Sequence, residues 1–203
     1  MFLRQNRKTR NNRGYTLMEL MVAIAIGMIV MASVATTFTS QTRAYSAQEQ
    51  INQMEQNARG ALDIMSREIK MAGYKPNGGS VTGIVSYTST SLTIQADLNA
   101  DAAISTSGSD NEQIAYAYDS ANKKITRQVG TAASATLAEN ISGFTFTYHQ
   151  SSGTTPATSA TDIRRMKIAI TAKTEKPDPG YQTNGGYRTM DLSATITPIN
   201  LGL

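Results

Sequence analysis

The feature that most constrains this chain is an uncharged apolar run close to its start. Residues 20–35 include no charged side chain, and only Gly27 and Ser33 interrupt their apolar character. As a helix, residues 15–38 span about 36 Å at 1.5 Å per residue, which is enough to cross a bilayer. The pattern therefore predicts a membrane-spanning helix near the N-terminus.

Basic residues crowd in front of this run. Five of the 19 Lys and Arg residues lie in the first 14 positions, where no acidic residue occurs. Under the positive-inside rule this end stays cytoplasmic, so the chain after Ser40 lies on the outer side. Removing those five from the 19 leaves 14 basic residues against 15 acidic ones, so the formal net charge of +4 belongs to the leader. We therefore expect no nucleic-acid partner.

Glu19 is the residue that an ordinary secretory signal does not explain. Such a signal needs small residues after its apolar run, and Ala-Ser-Val-Ala at residues 32–35 meets that need. It has no need of a carboxylate at the edge of the hydrocarbon, where an unpaired charge costs about 2–3 kcal/mol. We therefore expect Glu19 to have a partner, the alternative being a solvated carboxylate at the level of the lipid headgroups.

The stretch Gly-Tyr-Thr-Leu-Met-Glu-Leu-Met-Val-Ala-Ile-Ala-Ile at residues 14–26 resembles the signature of the type IV prepilins. In that family a basic leader ends in Gly, an aromatic residue begins the mature chain, and a Glu follows. The resemblance implies that a prepilin peptidase cleaves between Gly14 and Tyr15 on the cytoplasmic side and methylates the new amino group of Tyr15. Tyr15 replaces the usual Phe and keeps the ring.

The same resemblance supplies a partner for Glu19. In a helical fibre with apolar helices at its centre, the Glu19 carboxylate pairs with the Tyr15 ammonium of a neighbouring subunit. Burying two opposite charges together avoids leaving either one unpaired in a low-dielectric core.

A second pattern, over residues 58–74, is similar to the end of the first helix in PilW-like minor pilins, which are related to J-type minor pseudopilins of type II secretion. The chain also has no Cys for the C-terminal disulfide of many major pilins. The resemblance implies a non-enzymatic minor pilin that primes or caps a type IV pilus with other minor pilins and the major pilin. It implies an inner-membrane, single-pass prepilin whose head lies outside the cytoplasm, and later a fibre at the cell surface.

Two other functions stay open. One is a J-type minor pseudopilin of a type II secretion system, which shares the same N-terminal chemistry. The other is a pilus-tip adhesin or calcium-dependent binding module that borrows the leader for delivery.

The predicted fold class is α+β, with a long N-terminal helix packed on an antiparallel β-sheet domain. Residues 1–14 form the cleaved leader, residues 15–74 the helix, and residues 75–203 a β-rich head. After the apolar run the helix becomes amphipathic, with one stripe that packs on the sheet. The stripe comprises Tyr45, Ile51, Met54, Ala58, Leu62, Met65 and Ile69. The i,i+4 pairs Glu55–Arg59 and Asp63–Arg67 lie on the polar face.

Alternating apolar and polar residues predict seven strands in the head. The segments are residues 83–87, 91–96, 113–118, 124–129, 143–149, 166–173 and 189–197, with a turn at residues 119–123 and a long loop at residues 177–186.

An acidic loop in the head has the oxygen spacing of a calcium site. Its candidate ligands are Asp97, Asn99 and Asp101. The match to an EF-hand fails at Ala102 and Gly108, where Gly and Glu are needed, although Asp110 and Glu112 are available as later ligands of a non-standard loop. The alternative is an acidic, Ser-rich surface loop.

The residues for catalysis are sparse. His149 is the only histidine and alternation places it on a strand, so a catalytic triad has little support. There is no Cys, no phosphate-binding loop, no dinucleotide fingerprint and no HExxH motif. The basic residues 164–167 are typical of a strand edge guarded by charge. We expect no enzymatic activity and no cofactor other than calcium at the acidic loop.

Overall fold

A computed structural model describes residues 14–107, 111–151 and 153–201. The chain divides into two compact units, Met1–Ser46 and Ala47–Leu203. One helix, α1 (Leu17–Lys70), contributes to both units, and all the strands lie in the second. The predicted leader, apart from Gly14, lies outside the described residues.

In the first unit, α1 exposes an apolar surface from Leu20 to Phe38. Ser33 and Thr37 donate their hydroxyls to backbone carbonyls one turn earlier, each at 2.9 Å, and three further threonines up to Thr42 do the same at the i−3 or i−4 position. These hydroxyls therefore need no water and no partner from another element, which suits a helix in an apolar environment.

Helix α1 ends at Lys70, four residues before the predicted end at residue 74. The next two amides bond to carbonyls only three residues back, Met71 to Glu68 and Ala72 to Ile69. Gly73 then takes a left-handed conformation with φ +81°, and its N–H donates to Gln95 in a strand. The tightened turn and the left-handed glycine stop the helix, and a side chain at residue 73 would meet the C-terminal segment at 3.1 Å.

Eight antiparallel strands form two sheets in the second unit. The first sheet has the order β1 (Ile84–Tyr87), β2 (Ser91–Gln95), β3 (Gln113–Asp119), β4 (Lys124–Val129) and β5 (Ala135–Ala138). The second has the order β6 (Ile141–His149), β7 (Arg165–Lys173) and β8 (Thr189–Ile196). The α+β fold class is confirmed, as are the seven predicted strands to within two residues at each end.

Strand β5 and the division into two sheets were not predicted. The segment Ala-Thr-Leu-Ala at β5 is four residues long and mostly small, so it shows no useful alternation. Only residues 139–140 separate β5 from β6, and Asn140 has a φ of +57°. This left-handed residue turns the chain out of the first sheet, so β6 starts a second sheet instead of pairing with β5.

The core of the second unit lies under the amphipathic half of α1. Met54, Ala58, Met65 and Ile69 from the predicted stripe are buried, and Ile51 and Leu62 are partly buried against the same cluster. Ala61 is also buried, although the stripe omitted it. Tyr45 is 76% exposed and lies in the first unit, so its assignment to the stripe was wrong.

A polar cluster ties the end of α1 to the first sheet. Arg127 on β4 donates to the Glu68 carboxylate from Nη2 at 2.7 Å and from Nε at 3.0 Å, and the Tyr116 hydroxyl on β3 donates to the same carboxylate. Burial and then the hydrogen bond to Glu68 raise the pKa of the Tyr116 hydroxyl, and the hydrogen bond to Glu68 raises the pKa of Arg127. The predicted pairs Glu55–Arg59 and Asp63–Arg67 are confirmed on the exposed face.

Truncating Met65 should destabilise the head far more than truncating its neighbour Ile64. Met65 is fully buried, so Met65→Ala leaves a cavity that costs about 2–5 kcal/mol, whereas Ile64 is 38% exposed. Urea unfolding followed by near-ultraviolet circular dichroism measures both losses, and equal losses for Met65→Ala and Ile64→Ala would contradict the packing described.

Candidate functional site

The predicted cleavage site lies just before α1. Gly14, Tyr15 and Thr16 are not helical and are exposed, and the Tyr15 side chain is 87% exposed. A peptidase binds an extended, accessible segment more readily than a helix, because the backbone amides of a helix are already paired. The peptide bond between Gly14 and Tyr15 is therefore open to a peptidase in this structure.

Thr16 caps the start of α1 two residues after that bond. Its Oγ1 accepts a hydrogen bond from the Glu19 amide at 3.2 Å, and its carbonyl accepts one from Leu20 at 3.2 Å. This is half of a capping box, and Glu19 stands in the first turn, where a negative charge is favoured by the helix dipole. The spacing Thr-x-x-Glu is a sequence signal for this cap, and our sequence analysis missed it.

The predicted membrane span is exposed in its entirety. Within the described residues, α1 is the one helix long and apolar enough to cross a membrane, and none of its most apolar window is buried. Large apolar side chains from Leu17 to Phe38 are all more than half exposed. Exposed apolar area of this extent is unfavourable in water by about 25 cal/mol per Å². This surface is therefore built for an apolar environment.

The predicted pairing of Glu19 with Tyr15 of a neighbouring subunit involves a second chain, so it stays a prediction. Within the described part of this chain, the Glu19 carboxylate is exposed and takes part in no ion pair. The carboxylate and the Tyr15 residue lie at the same end of an apolar helix. A subunit of this kind presents one negative charge and, once its leader is removed, one positive amino group.

The acidic loop folds around its own backbone. Asp97 is buried and accepts the amides of Ala100 at 2.7 Å and Ala102 at 3.0 Å, both of which have positive φ angles. Asn99 and Asp101 are joined side chain to side chain at 3.1 Å. The predicted ligands do lie together, but backbone amides occupy both Asp97 oxygens.

Glu112 closes the same loop from the start of β3. It is buried, and its carboxylate accepts amides from Leu98 at 3.3 Å, Asn99 at 3.2 Å and Ser105 at 2.7 Å. Oxygens of Asp97, Asp101 and Glu112 lie within 4.8 Å of one another. These bonds stabilise the loop through its own backbone. Calcium binding at this cluster stays a prediction, and Asp110 lies outside the described residues.

His149 lies at the end of β6, as predicted, and is half-buried. Its neighbour across the sheet is Arg165 on β7, so no serine or carboxylate faces it in the pairing register. Its Nδ1 is buried and has no hydrogen-bond partner within the described residues.

Comparison with known protein families identifies the class of protein to which this chain belongs. Residues 9–35 match the prokaryotic N-terminal methylation motif, so the chain has the N-terminus of a prepilin. Residues 47–189 match the family described as prepilin peptidase-dependent protein B, and the chain belongs to that family. Together the two matches support a type IV minor pilin, and membership in this family fits a non-enzymatic subunit.

A solved structure of a type IV-like pilin from Thermus thermophilus is also similar to this chain. It has 12% sequence identity and a TM-score of 0.46, and the match covers 72% of this chain and 97% of the other. No curated protein matches the chain.

Removing the Asp97 carboxylate should destabilise the head more than removing that of Asp101. Asp97→Ala leaves two loop amides without their acceptor in a buried place, which costs about 1–3 kcal/mol, whereas the Asp101 side chain is exposed. The free energy of unfolding should be measured for both variants in excess chelator, so that a bound metal contributes to the stability of neither. Similar losses for the two variants would contradict the structural role assigned to Asp97.

Proposed function

We propose that this chain is a minor pilin that primes or caps a type IV pilus. The observation that carries the proposal is the combination of a prepilin N-terminus with a helix that exposes only apolar groups and self-bonded hydroxyls over residues 20–39. Such a surface is stable in a bilayer, and it is equally stable against the apolar helices of other subunits. The chain can therefore leave the membrane for a fibre without exposing this surface to water.

The proposed processing steps are those that the prepilin methylation motif implies. Before assembly, the prepilin lies in the inner membrane with its basic leader in the cytoplasm and its head on the other side. A prepilin peptidase cleaves the exposed bond between Gly14 and Tyr15 and methylates the Tyr15 amino group. The cap made by Thr16 keeps this bond outside the helix, so the site stays accessible before assembly.

Charge pairing selects the assembled state. The Glu19 carboxylate stays at the interface while its subunit is in the membrane, and inside a fibre it needs a counter-charge. The Tyr15 ammonium of a neighbouring subunit, another minor pilin or the major pilin, supplies that charge. Breaking such a buried pair costs about 3–5 kcal/mol, because one charge is left uncompensated. The pair therefore makes a subunit in the correct axial position more stable than one displaced along the fibre.

Glu19→Ala should leave cleavage intact. It should reduce the amount of the chain in sheared fibres at least about a hundredfold, because a loss of about 3–5 kcal/mol at 1.4 kcal/mol per tenfold corresponds to two or more powers of ten. Glu49→Ala is the matched control, because it removes an exposed glutamate from the same helix beyond the apolar run. Quantitative mass spectrometry of membrane and fibre fractions gives both amounts.

A normal amount of Glu19→Ala in fibres would contradict the proposed pairing. Loss of cleavage in this variant would move the role of Glu19 to recognition by the peptidase. If the wild-type chain is processed but occurs only with a secretion apparatus, the J-type pseudopilin function replaces the pilus function.

A further inference from the structure

Hydrogen bonds mark where the apolar half of α1 stops being independent of water. Between Leu20 and Thr39, every side-chain hydroxyl donates to a carbonyl of the same helix at 2.9 Å. The Ser40 hydroxyl and the Gln41 side-chain amide have no such partner within residues 14–107, 111–151 and 153–201. The segment that needs no water is therefore 20 residues long. As a helix it measures about 30 Å, which is the thickness of the hydrocarbon core of a bilayer.

Two exposed tyrosines flank this segment at nearly equal distances. Tyr15 lies five positions before Leu20, and Tyr45 lies six positions after Thr39. The two tyrosines are 87% and 76% exposed, and neither hydroxyl has a hydrogen-bond partner in the described part of the chain. From Leu17 to Tyr45 the helix measures about 42 Å, and a bilayer with its headgroups is about 40–45 Å thick. The two rings therefore match the two membrane–water interfaces, where tyrosine is enriched.

The direction of side chains on a helix agrees with this position for Tyr45. Helical side chains lean toward the N-terminus, so the Tyr45 ring extends back toward the turn that contains Gln41. That turn is the first one after Thr39, where polar side chains begin to need water. A ring at this level lies against the acyl chains, and its hydroxyl reaches the water of the headgroups. This position explains an exposed tyrosine that contributes nothing to the core of the head.

Arg43 indicates that lipid headgroups, and not one neighbouring helix, surround α1 at this level. It is the first charged residue after Glu19, and it forms no ion pair within the described residues. Two positions separate it from Tyr45, so the two side chains lie about 200° apart around the helix. A single helix packed beside α1 covers one of these sides, whereas a headgroup layer surrounds both. The arginine stem can lie along the acyl chains while the guanidinium binds anionic phosphates.

We propose that Tyr45 and Arg43 anchor α1 in the outer headgroup layer and thereby hold Tyr15 in the inner one. The proposal rests on the membrane stage of the proposed function and adds what fixes the depth of the helix. With the outer end anchored, the peptide bond between Gly14 and Tyr15 stays at the cytoplasmic headgroup level, where a peptidase at that surface reaches it. Tyr45 and Arg43 are therefore positioning residues for cleavage, although Tyr45 lies 30 positions after Tyr15.

Tryptophan fluorescence tests the depth, because the chain contains no tryptophan and one substitution reports one position. The full-length variants Ile29→Trp, Phe38→Trp and Tyr45→Trp are placed separately in vesicles of phosphatidylcholine and phosphatidylglycerol with brominated acyl chains. Bromine near the chain ends should quench Ile29→Trp most strongly, and bromine near the glycerol should quench Phe38→Trp most strongly. Tyr45→Trp should lie about 10 Å shallower than Phe38→Trp and should be partly quenched by acrylamide from the water.

Moving the anchor tests whether it sets the depth. In the Phe38→Trp chain, Gln41→Tyr combined with Tyr45→Ala shifts the tyrosine by four positions, or about 6 Å, toward the N-terminus. Because the tyrosine stays in the headgroup layer, the helix should move outward and the tryptophan should become shallower by up to about 6 Å. Ser46→Ala, at the exposed position next to Tyr45, is the matched control and should leave the depth unchanged.

The charge of Arg43 is tested with the same tryptophan at residue 38. Arg43→Glu places a negative charge beside anionic headgroups, so the tryptophan should become shallower in vesicles that contain phosphatidylglycerol. Arg43→Lys keeps the positive charge and should keep the depth. In vesicles of phosphatidylcholine alone, the difference in depth between Arg43→Glu and Arg43→Lys should shrink.

The variant with the moved anchor also tests the link to cleavage. Gln41→Tyr with Tyr45→Ala draws the bond between Gly14 and Tyr15 toward the hydrocarbon, so the helix must move back by several Å before cleavage. Because hydrophobic mismatch is unfavourable for each Å of displacement, cleavage in membranes that contain the peptidase should be at least about threefold slower than in the wild type. Ser46→Ala should be cleaved at the wild-type rate.

The anchoring is wrong if Tyr45→Trp is as accessible to acrylamide as tryptophan in water, or if the tryptophan at residue 38 keeps its depth when the tyrosine is moved. The positioning role is wrong if the moved anchor leaves cleavage at the wild-type rate. An uncleaved wild type would instead overturn the proposed function. The depth measurements distinguish these failures, because they need no peptidase.

Discussion

The structure depends on the requirement that the first half of α1 be covered by something other than water. Its apolar residues are exposed along the whole span, and its hydroxyls bond within the helix. Under the proposed function, lipid meets this requirement before assembly and neighbouring helices meet it afterwards. Glu19 is the exception within this surface, and under the proposed function its carboxylate makes one arrangement of neighbours more stable than others.

The second half of the same helix packs against the head. From Met54 to Ile69 it buries one face in the hydrophobic core of the head, to which Ala58, Ala61 and Met65 belong. The Glu68 carboxylate then binds Arg127 and Tyr116 at the helix end. Helix α1 therefore exposes apolar side chains up to Phe38 and buries one face from Met54 to Ile69.

Local patterns predicted the strands and the cleavage motif, because alternation and a contiguous signature are visible without knowledge of distant contacts. Strand β5 was missed because four mostly small residues show no period. The acidic loop was predicted as a ligand set from spacing alone, whereas Asp97 and Glu112 bond to backbone amides whose positions depend on how β2 and β3 are connected. The cluster of Glu68, Tyr116 and Arg127 joins residues up to 59 positions apart, so no local window contains it.

A processed prepilin differs from an unprocessed chain at its N-terminus, so the mass of the N-terminal peptide distinguishes the two. The protein should be isolated from the membrane and sheared-fibre fractions of its own cells. We expect a chain that begins at Tyr15 with a methylated amino group. A chain that begins at Met1, or one that begins after the Ala-Ser-Val-Ala segment at residues 32–35, would contradict it.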